Sequence, residues 1–356
     1  MASLLQTVIR NLRPAVAALA IVLAVGVLAA PLSLAQERPG AGVTLRAGKA
    51  SWTSAEPKGA VIQLLLEELG YRVEVSTFAS NPIAYLAIYN GDLDYWPNGW
   101  FPNHLPQLPA GFERNASIIG ELCPGCGLEG YLVDIPSIEK YGIRTLEDFK
   151  RPEVKAAFDA NGDGRADLFG CPPGWGCYEM IEFHLDAYDL RDHINHVSAD
   201  YVATFADALA RIRAGQPALY YTWTPNDTIL LSVPGQHVLW IGVGDEIILS
   251  PAHQDFEPEM LVAHGLETAV EDPLPMGFVP NNIHVVANNR FLERHPAAAR
   301  LLELVQLPLD WISEATLRIN EGESSDAAIR AIAQEWIDAN RELVDQWLAE
   351  ARAAAR

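Results

Sequence analysis

Positive charge is what this sequence has least of. Its 356 residues hold 25 lysines and arginines against 46 aspartates and glutamates, a formal net charge of −21. So acidic a chain gives polyanions no landing surface, which argues against nucleic acid as a partner. An anionic membrane surface would not attract the mature chain either, and the acidity reads as a solubility feature. Long apolar runs are scarce: beyond the one from Pro14 to Ala35, none approaches membrane length. Enzyme signatures are missing as well. There is no Gly-x-Ser-x-Gly, no Walker loop and no His-Glu-x-x-His. His104 has the chemistry of a base, but no nucleophile is placed with it. Internal repeats and low-complexity segments are absent.

The one apolar run is informative. Arg10 and Arg13 precede it, and Ser33-Leu34-Ala35 closes it as a small-x-small cleavage site. This reads as a secretory signal peptide over residues 1–35, with the mature chain starting near Gln36 in the periplasm. The run is only marginally long enough to span a membrane and Pro31 interrupts it, so cleavage is favoured over an anchor. The four cysteines, Cys123, Cys126, Cys171 and Cys177, all follow it. An even count in an exported chain implies disulfides. Three pairings are open; the local ones, Cys123–Cys126 and Cys171–Cys177, need the least chain folding. A four-cysteine zinc site is the runner-up, disfavoured by the C-x5-C half and by an oxidising compartment. No βα start follows Cys123-Pro-Gly-Cys126, which argues against a thioredoxin-like role.

Elements alternate along the chain. Strands are expected at 43–46, 71–77, 93–96, 118–122, 130–133, 218–223, 237–243 and 283–287. Helices are expected at 59–69, 83–89, 145–158, 178–188, 199–214, from Thr224-Pro225, and at 296–306, 309–320 and 326–349. Thr145 and Asp148 have the spacing of a capping box. The stretch 244–275 reads as irregular. This alternation implies an α/β chain with mostly parallel sheets. Its simplest assembly is two lobes: 36–131 plus 284–356, and 132–283. Hinges are expected near Gly130–Val133 and Ile283–Ala287, with a ligand cleft between the lobes.

Nine tryptophans sort into two kinds. Trp96, Trp240, Trp311, Trp336 and Trp347 sit inside apolar strands or amphipathic helices and read as core. Trp52, Trp100 and Trp223 lie at or just past the carboxyl ends of strands, the edge where open α/β sheets bind ligands. Trp175 stands alone in Gly170-Cys-Pro-Pro-Gly-Trp-Gly-Cys177, a loop bent and stiffened by prolines and glycines. Closing two lobes could bring these four indoles together. Indole faces attract cations, and a quaternary ammonium, unable to donate ordinary N–H hydrogen bonds, is their natural guest. A sugar would need many polar partners beside the rings.

The stretches Asp159-Ala-Asn-Gly-Asp-Gly-Arg-Ala-Asp167, Gly170 to Cys177, Tyr220-Tyr-Thr-Trp-Thr-Pro225 and Ile283-His-Val-Val-Ala-Asn288 resemble those of periplasmic substrate-binding proteins of ABC importers for glycine betaine and proline betaine. The resemblance spans most of the mature chain. It implies a bilobal, type II-like periplasmic binding fold. It also implies a three-tryptophan box at Trp100, Trp175 and Trp223, carboxylate-binding partners at His104 and the backbone of Gly176 and Cys177, and a loop disulfide Cys171–Cys177. Trp52 is an extra aromatic. Cys123 to Tyr131 puts a second cysteine pair and an acid, Glu129, where the betaine pattern has a neutral glutamine. Both departures look more like relatives that hold trimethylamine N-oxide with four tryptophans and one glutamate. An exposed strand-end carboxylate is the alternative for Glu129, ranked below a place in the cleft.

Asp159, Asn161, Asp163, Arg165 and Asp167 sit at positions of an EF-hand-like loop whose twelfth residue, Gly170, lacks the bidentate glutamate. A structural calcium ion and a side-chain-held turn are evenly balanced there. No cofactor for chemistry is implied. The sequence thus points to a monomeric protein that captures a small methylated amine, trimethylamine N-oxide first, and delivers it to an ABC permease in the inner membrane. Glycine betaine, proline betaine and choline are the alternatives. An exported enzyme acting on a quaternary amine is the competing class, separable by a turnover assay.

Overall fold

The computed structural model describes residues 38–355, so the signal-peptide reading of residues 1–35 lies outside the described residues. Twelve strands are present among the described residues: β1 Thr44–Ala50, β2 Arg72–Phe78, β3 Tyr95–Phe101, β4 Ala116–Gly127, β5 Glu129–Asp134, β6 Ala166–Phe169, β7 Ile194–Val197, β8 Leu219–Trp223, β9 Val238–Ile241, β10 Val262–Ala263, β11 Leu274–Pro275 and β12 Asn281–Asn288. Ten of them form two five-stranded sheets, ordered β2-β1-β3-β12-β4 and β7-β6-β8-β5-β9. Each sheet is the centre of one α/β lobe.

The sheets are mixed rather than mostly parallel. β1 pairs parallel with β2 and β3, while β12 pairs antiparallel with β3 and β4. The second sheet repeats the plan: β6 is parallel to β7 and β8, and β5 is antiparallel to β8 and β9. Parallel neighbours need a crossover of a dozen or more residues. The strands by which the chain leaves or re-enters a lobe, β4, β5 and β12, come without one, and all three pair antiparallel. The first passage between sheets is Leu128 alone and the return runs from Met276 to Pro280. The segments expected as hinges, Gly130–Val133 and Ile283–Ala287, lie inside β5 and β12.

Helices mostly fall where the 3.6-residue pattern puts them. Two short ones, Ile135–Tyr141 and Asn289–Arg294, were not expected, and three expected ones differ. The helix expected over 145–158 is a short 3-10 turn, Leu146–Lys150, followed by a helix Pro152–Phe158. Proline cannot continue a helix and holds its predecessor extended, so Arg151 breaks the element. The Thr145–Asp148 capping box is present. The last helix is two, Asp326–Ala339 and Arg341–Ala354, parted at Asn340 (φ −115°, ψ 26°). Thr224-Pro225 starts no helix. Thr224 is drawn to the passage between lobes, and the helix begins at Thr228. The C-terminal helices dock on the first lobe through Arg330–Glu67 at 2.6 Å and Arg341–Glu68 at 2.8 Å. Trp336 stacks near Trp311 and Trp347 there, while Trp96 and Trp240 are buried in the two lobes.

Candidate ligand-binding site

The carboxyl ends of β3 and β8 face each other across the cleft and deliver two indoles. Trp100 is the penultimate residue of β3, and Trp223 the last of β8. Trp52 lies in the turn between β1 and the helix Ala55–Glu68. Trp175 occupies the N-cap position of the helix Gly176–Ala187, at the end of the loop closed by a Cys171–Cys177 disulfide. The rings meet edge to face: Trp52 and Trp175 have centroids 5.3 Å apart, Trp175 and Trp223 5.7 Å. Trp52, Trp100 and Trp223 are buried, each with an indole N–H that has no hydrogen-bond partner.

Alternation on β8 puts Tyr221 and Trp223 on one face, and β5 lies beside it with Glu129 in register with Trp223. Glu129 is therefore not an exposed strand end; it is 5% exposed. Its Oε1 accepts from the Tyr221 hydroxyl at 2.5 Å, and its Oε2 from the Asn281 and Asn103 side-chain amides at 3.0 and 3.2 Å. Burial pushes its pKa up to about 7, against the opposing pull of these three hydrogen bonds. Tyr221 belongs to the second lobe's sheet. Asn103 and Asn281 come from the first, so the acid is held from both sides of the cleft.

Opposite it lies a donor pole. His104 is buried, and burial lowers its pKa to about 3, so the ring is neutral. The Tyr85 hydroxyl lies 2.6 Å from Nδ1, and the Trp100 backbone N–H donates to the same atom at 3.2 Å. An atom receiving a backbone donor is an acceptor, which assigns the proton to Nε2. With the proton on Nε2, the Asn81 side-chain amide 3.2 Å away turns its oxygen to the ring. Across from the imidazole, the helix Gly176–Ala187 starts with Gly176 and Cys177, whose N–H groups lack helical partners and carry the positive end of the dipole. Gly176 sits close against its surroundings: a Cβ there would stand 3.0 Å from the end of the Gln107 side chain, which would have to shift.

All eight residues expected at the site, Trp52, Trp100, Glu129, His104, Trp175, Gly176, Cys177 and Trp223, line one small cavity of about 40 Å³. Asn81, Asn103 and Tyr221 line it too and were not anticipated, although Tyr221 sits inside a stretch already singled out. No lysine or arginine lines it. The arrangement offers an aromatic, acid-floored pole to a cation and a pole of N–H donors to an anionic oxygen.

The other sequence expectations lie elsewhere. Cys123 and Cys126 are joined in a disulfide at the end of β4, so neither a zinc site nor a cross-loop pairing forms. The side chains of the calcium-like loop are engaged in a turn. Asp159 accepts from the N–H groups of Gly162, Asp163 and Gly164, Asn161 from that of Asp163, and Asp163 from the backbone and guanidinium of Arg165. Asp167 holds Ala160, Asn161 and Asn195. The oxygens that would ligate a cation thus hold the loop itself. Among the described residues no group of His, Cys, Asp or Glu is arranged for a metal ion. A chelator should leave the melting temperature unchanged; a drop restored by calcium would reinstate the ion.

Comparison with known proteins follows the same lines. Residues 43–339 match the family model described as the substrate binding domain of ABC-type glycine betaine transport systems. The chain is 34% identical over 348 residues to the glycine betaine-binding periplasmic protein OusX of Dickeya dadantii, covering 98% of this chain and 100% of that one. It is 31% identical over 324 residues to the glycine betaine/proline betaine-binding periplasmic protein of Salmonella typhimurium, covering 91% and 95%. Lactococcal OpuAC, in its closed-liganded conformation complexed with glycine betaine, superposes with a TM-score of 0.63 at 17% identity, covering 86% of this chain and 99% of that one.

Proposed function

From the premise that this chain belongs to the family of substrate-binding domains of ABC-type glycine betaine transport systems, we propose that it captures a small quaternary amine of the betaine and choline class in the periplasm and hands it to a membrane permease. The observation that carries this reading is the box itself: four indoles and one buried acid around a cavity that no described lysine or arginine lines. Each indole face contributes roughly 0.5–2 kcal/mol to holding a desolvated cation. A zwitterion fits both poles, its ammonium among the rings and its carboxylate on the His104 Nε2–H and the N–H groups of Gly176 and Cys177. That supports glycine betaine, in keeping with what the relatives are named for.

One pair of observations favours a second reading, trimethylamine N-oxide. Glu129 is held close to half-protonated at neutral pH, and the cavity is small. The N-oxide carries no carboxylate for an ionised Glu129 to repel, and its basic oxygen could share the acid's proton in a short, charge-assisted hydrogen bond. Calorimetric titration with glycine betaine, choline and trimethylamine N-oxide orders the three, and the same samples searched for product test the enzyme alternative. Absence of binding by all three would reject the box.

Trp175→Ala should weaken whichever ligand binds by ~1–3 kcal/mol, combining lost cation–π attraction with lost desolvated contact. Trp347→Phe, in the C-terminal helices, should change nothing. The reverse ranking of the two variants would show that the aromatic box is not the binding site.

A further inference from the structure

The box indoles have outer faces, and a second cavity lies on them. It has a volume of about 170 Å³ and opens between the helix Tyr201–Arg213, the segment after β8 and the turn at 51–53. Trp52, Trp175 and Trp223 line it as well as the inner cavity. Tyr201 completes its aromatic wall, with centroids 4.5 Å from Trp223 and 6.0 Å from Trp175. Aromatic rings attract cations, so a wall of three indoles and one phenol suits a cationic guest.

Charge agrees with this. Asp200 and Asp227 line the outer cavity, and no lysine or arginine does. The Asp227 carboxylate is held at 2.7 Å by Asn320 of the first lobe, while Asp200 is exposed and caps its helix through the Ala203 N–H at 3.2 Å. Asn226 lines the cavity, is 3% exposed, and its Nδ2 donor is buried without a partner. Its Oδ1 is committed to the Asp227 N–H, so the orphan end is the donor. Aromatic faces, acids and one spare donor form a complement to an alkylated ammonium that also carries an oxygen.

We infer that this cavity is a second, outer subsite for alkylated ammonium ions, sharing three indole walls with the box. The inference rests on the reading that the inner box takes such an ion. The subsite would hold the ligand before the lobes seal the inner cavity, and it would accept cations too bulky for the box.

Tetraethylammonium is the probe, because its four ethyl groups are bulkier than the trimethylated head groups that the box is read to hold. Its binding is measured by ligand-observed NMR and calorimetry on the mature protein saturated in turn with glycine betaine, choline and trimethylamine N-oxide. Two variants accompany the wild type. Asp200→Ser removes the charge but keeps a capping side chain. Ala206→Trp fills the groove from an exposed helix position. The probe should bind the saturated wild type. Both variants should weaken it at least tenfold and leave the Kd of the box ligand within twofold. Loss of probe binding on saturation of the box, or probe binding untouched by both variants, would overturn the outer subsite. If none of the three box ligands binds the wild type, the box reading fails instead, and the probe's response to the variants still reports on the outer cavity alone.

Discussion

Between pH 4.5 and pH 8, Glu129→Gln should gain roughly 3 kcal/mol of unfolding free energy relative to wild type, most of it below pH 7. The folded-state pKa of Glu129 is raised from 4.5 to about 7, chiefly by burial. Below the unfolded value both states are protonated and the acid costs nothing. As pH rises toward 7, the unfolded carboxyl ionises freely while the buried one resists, so wild type loses stability and the neutral glutamine does not. Hydrogen bonds altered by the amide shift the variant equally at every pH and cancel from the difference. A difference that stays flat with pH would mean that Glu129 is solvated in the folded state.

The same carboxyl sets the sign of ligand binding against pH. A permanent cation with no basic oxygen at the acid favours the ionised form, so choline should displace the proton. Affinity should then rise with pH up to about pH 7, by at most about tenfold per unit, and level off above it. Trimethylamine N-oxide, sharing that proton, should show the opposite slope. Both slopes should flatten in Glu129→Gln, and a slope that survives there would assign the titration to another group.

The largest stability effect is expected at a residue outside the site. Lys58→Met should stabilise the protein by as much as roughly 5 kcal/mol at neutral pH. Lys58 is fully buried in the helix Ala55–Glu68, and its Nζ has no hydrogen-bond partner. Burial lowers its pKa from 10.5 to about 7. Its place in the first turn of the helix, at the positive end of the dipole, is unfavourable to a cation as well. The sign follows from a lowered base. The cost is full below about pH 7 and fades as pH rises toward 10.5, where the unfolded lysine is also neutral. The advantage of the methionine variant should therefore shrink over that window. An unchanged or lower melting temperature at pH 7 would show that the ammonium has a partner in solution.

Lys58 also shows what a sequence pattern conceals. It sits three and four residues before Val61 and Ile62, on the same apolar stripe, yet a lone charge at a helix start reads as solvent-facing until the tertiary packing is known. Trp52, Trp100, Trp175 and Trp223 were legible for the opposite reason: each is a large aromatic outside any apolar period, at a strand end or a stiffened loop. Asn81, Asn103 and Asn281 were not. An asparagine beside a turn is ordinary, and its role as a donor to Glu129 or a neighbour of His104 appears only when segments distant in sequence converge. Sheet direction was misjudged at β5 and β12, where the periodicity of a strand says nothing about the way it runs. The split of 145–158 could have been read from Pro152.

The two passages between the lobes are unequal as mechanical parts. At Leu128, the Thr224 N–H donates to the Leu128 carbonyl at 2.8 Å, the Leu128 N–H to the Thr224 hydroxyl at 3.1 Å, and that hydroxyl to the Cys126 carbonyl at 2.5 Å. Thr224 directly follows Trp223. The return passage, Met276 to Pro280, spans more residues and carries fewer ties: Gly277 to the Leu261 carbonyl, and Asn281 back to that of Val279. One crossing is thus a short pivot tied by hydrogen bonds, and the other is longer and held by packing, its Phe278 buried against Tyr131, His184 and Tyr221. A rigid swing of the lobes would turn about an axis close to Leu128. Because the pivot is bolted to the residue after a box indole, that indole sits at the short arm of the lever: a small displacement of Trp223 by a guest becomes a wide sweep at the far rim of the cleft.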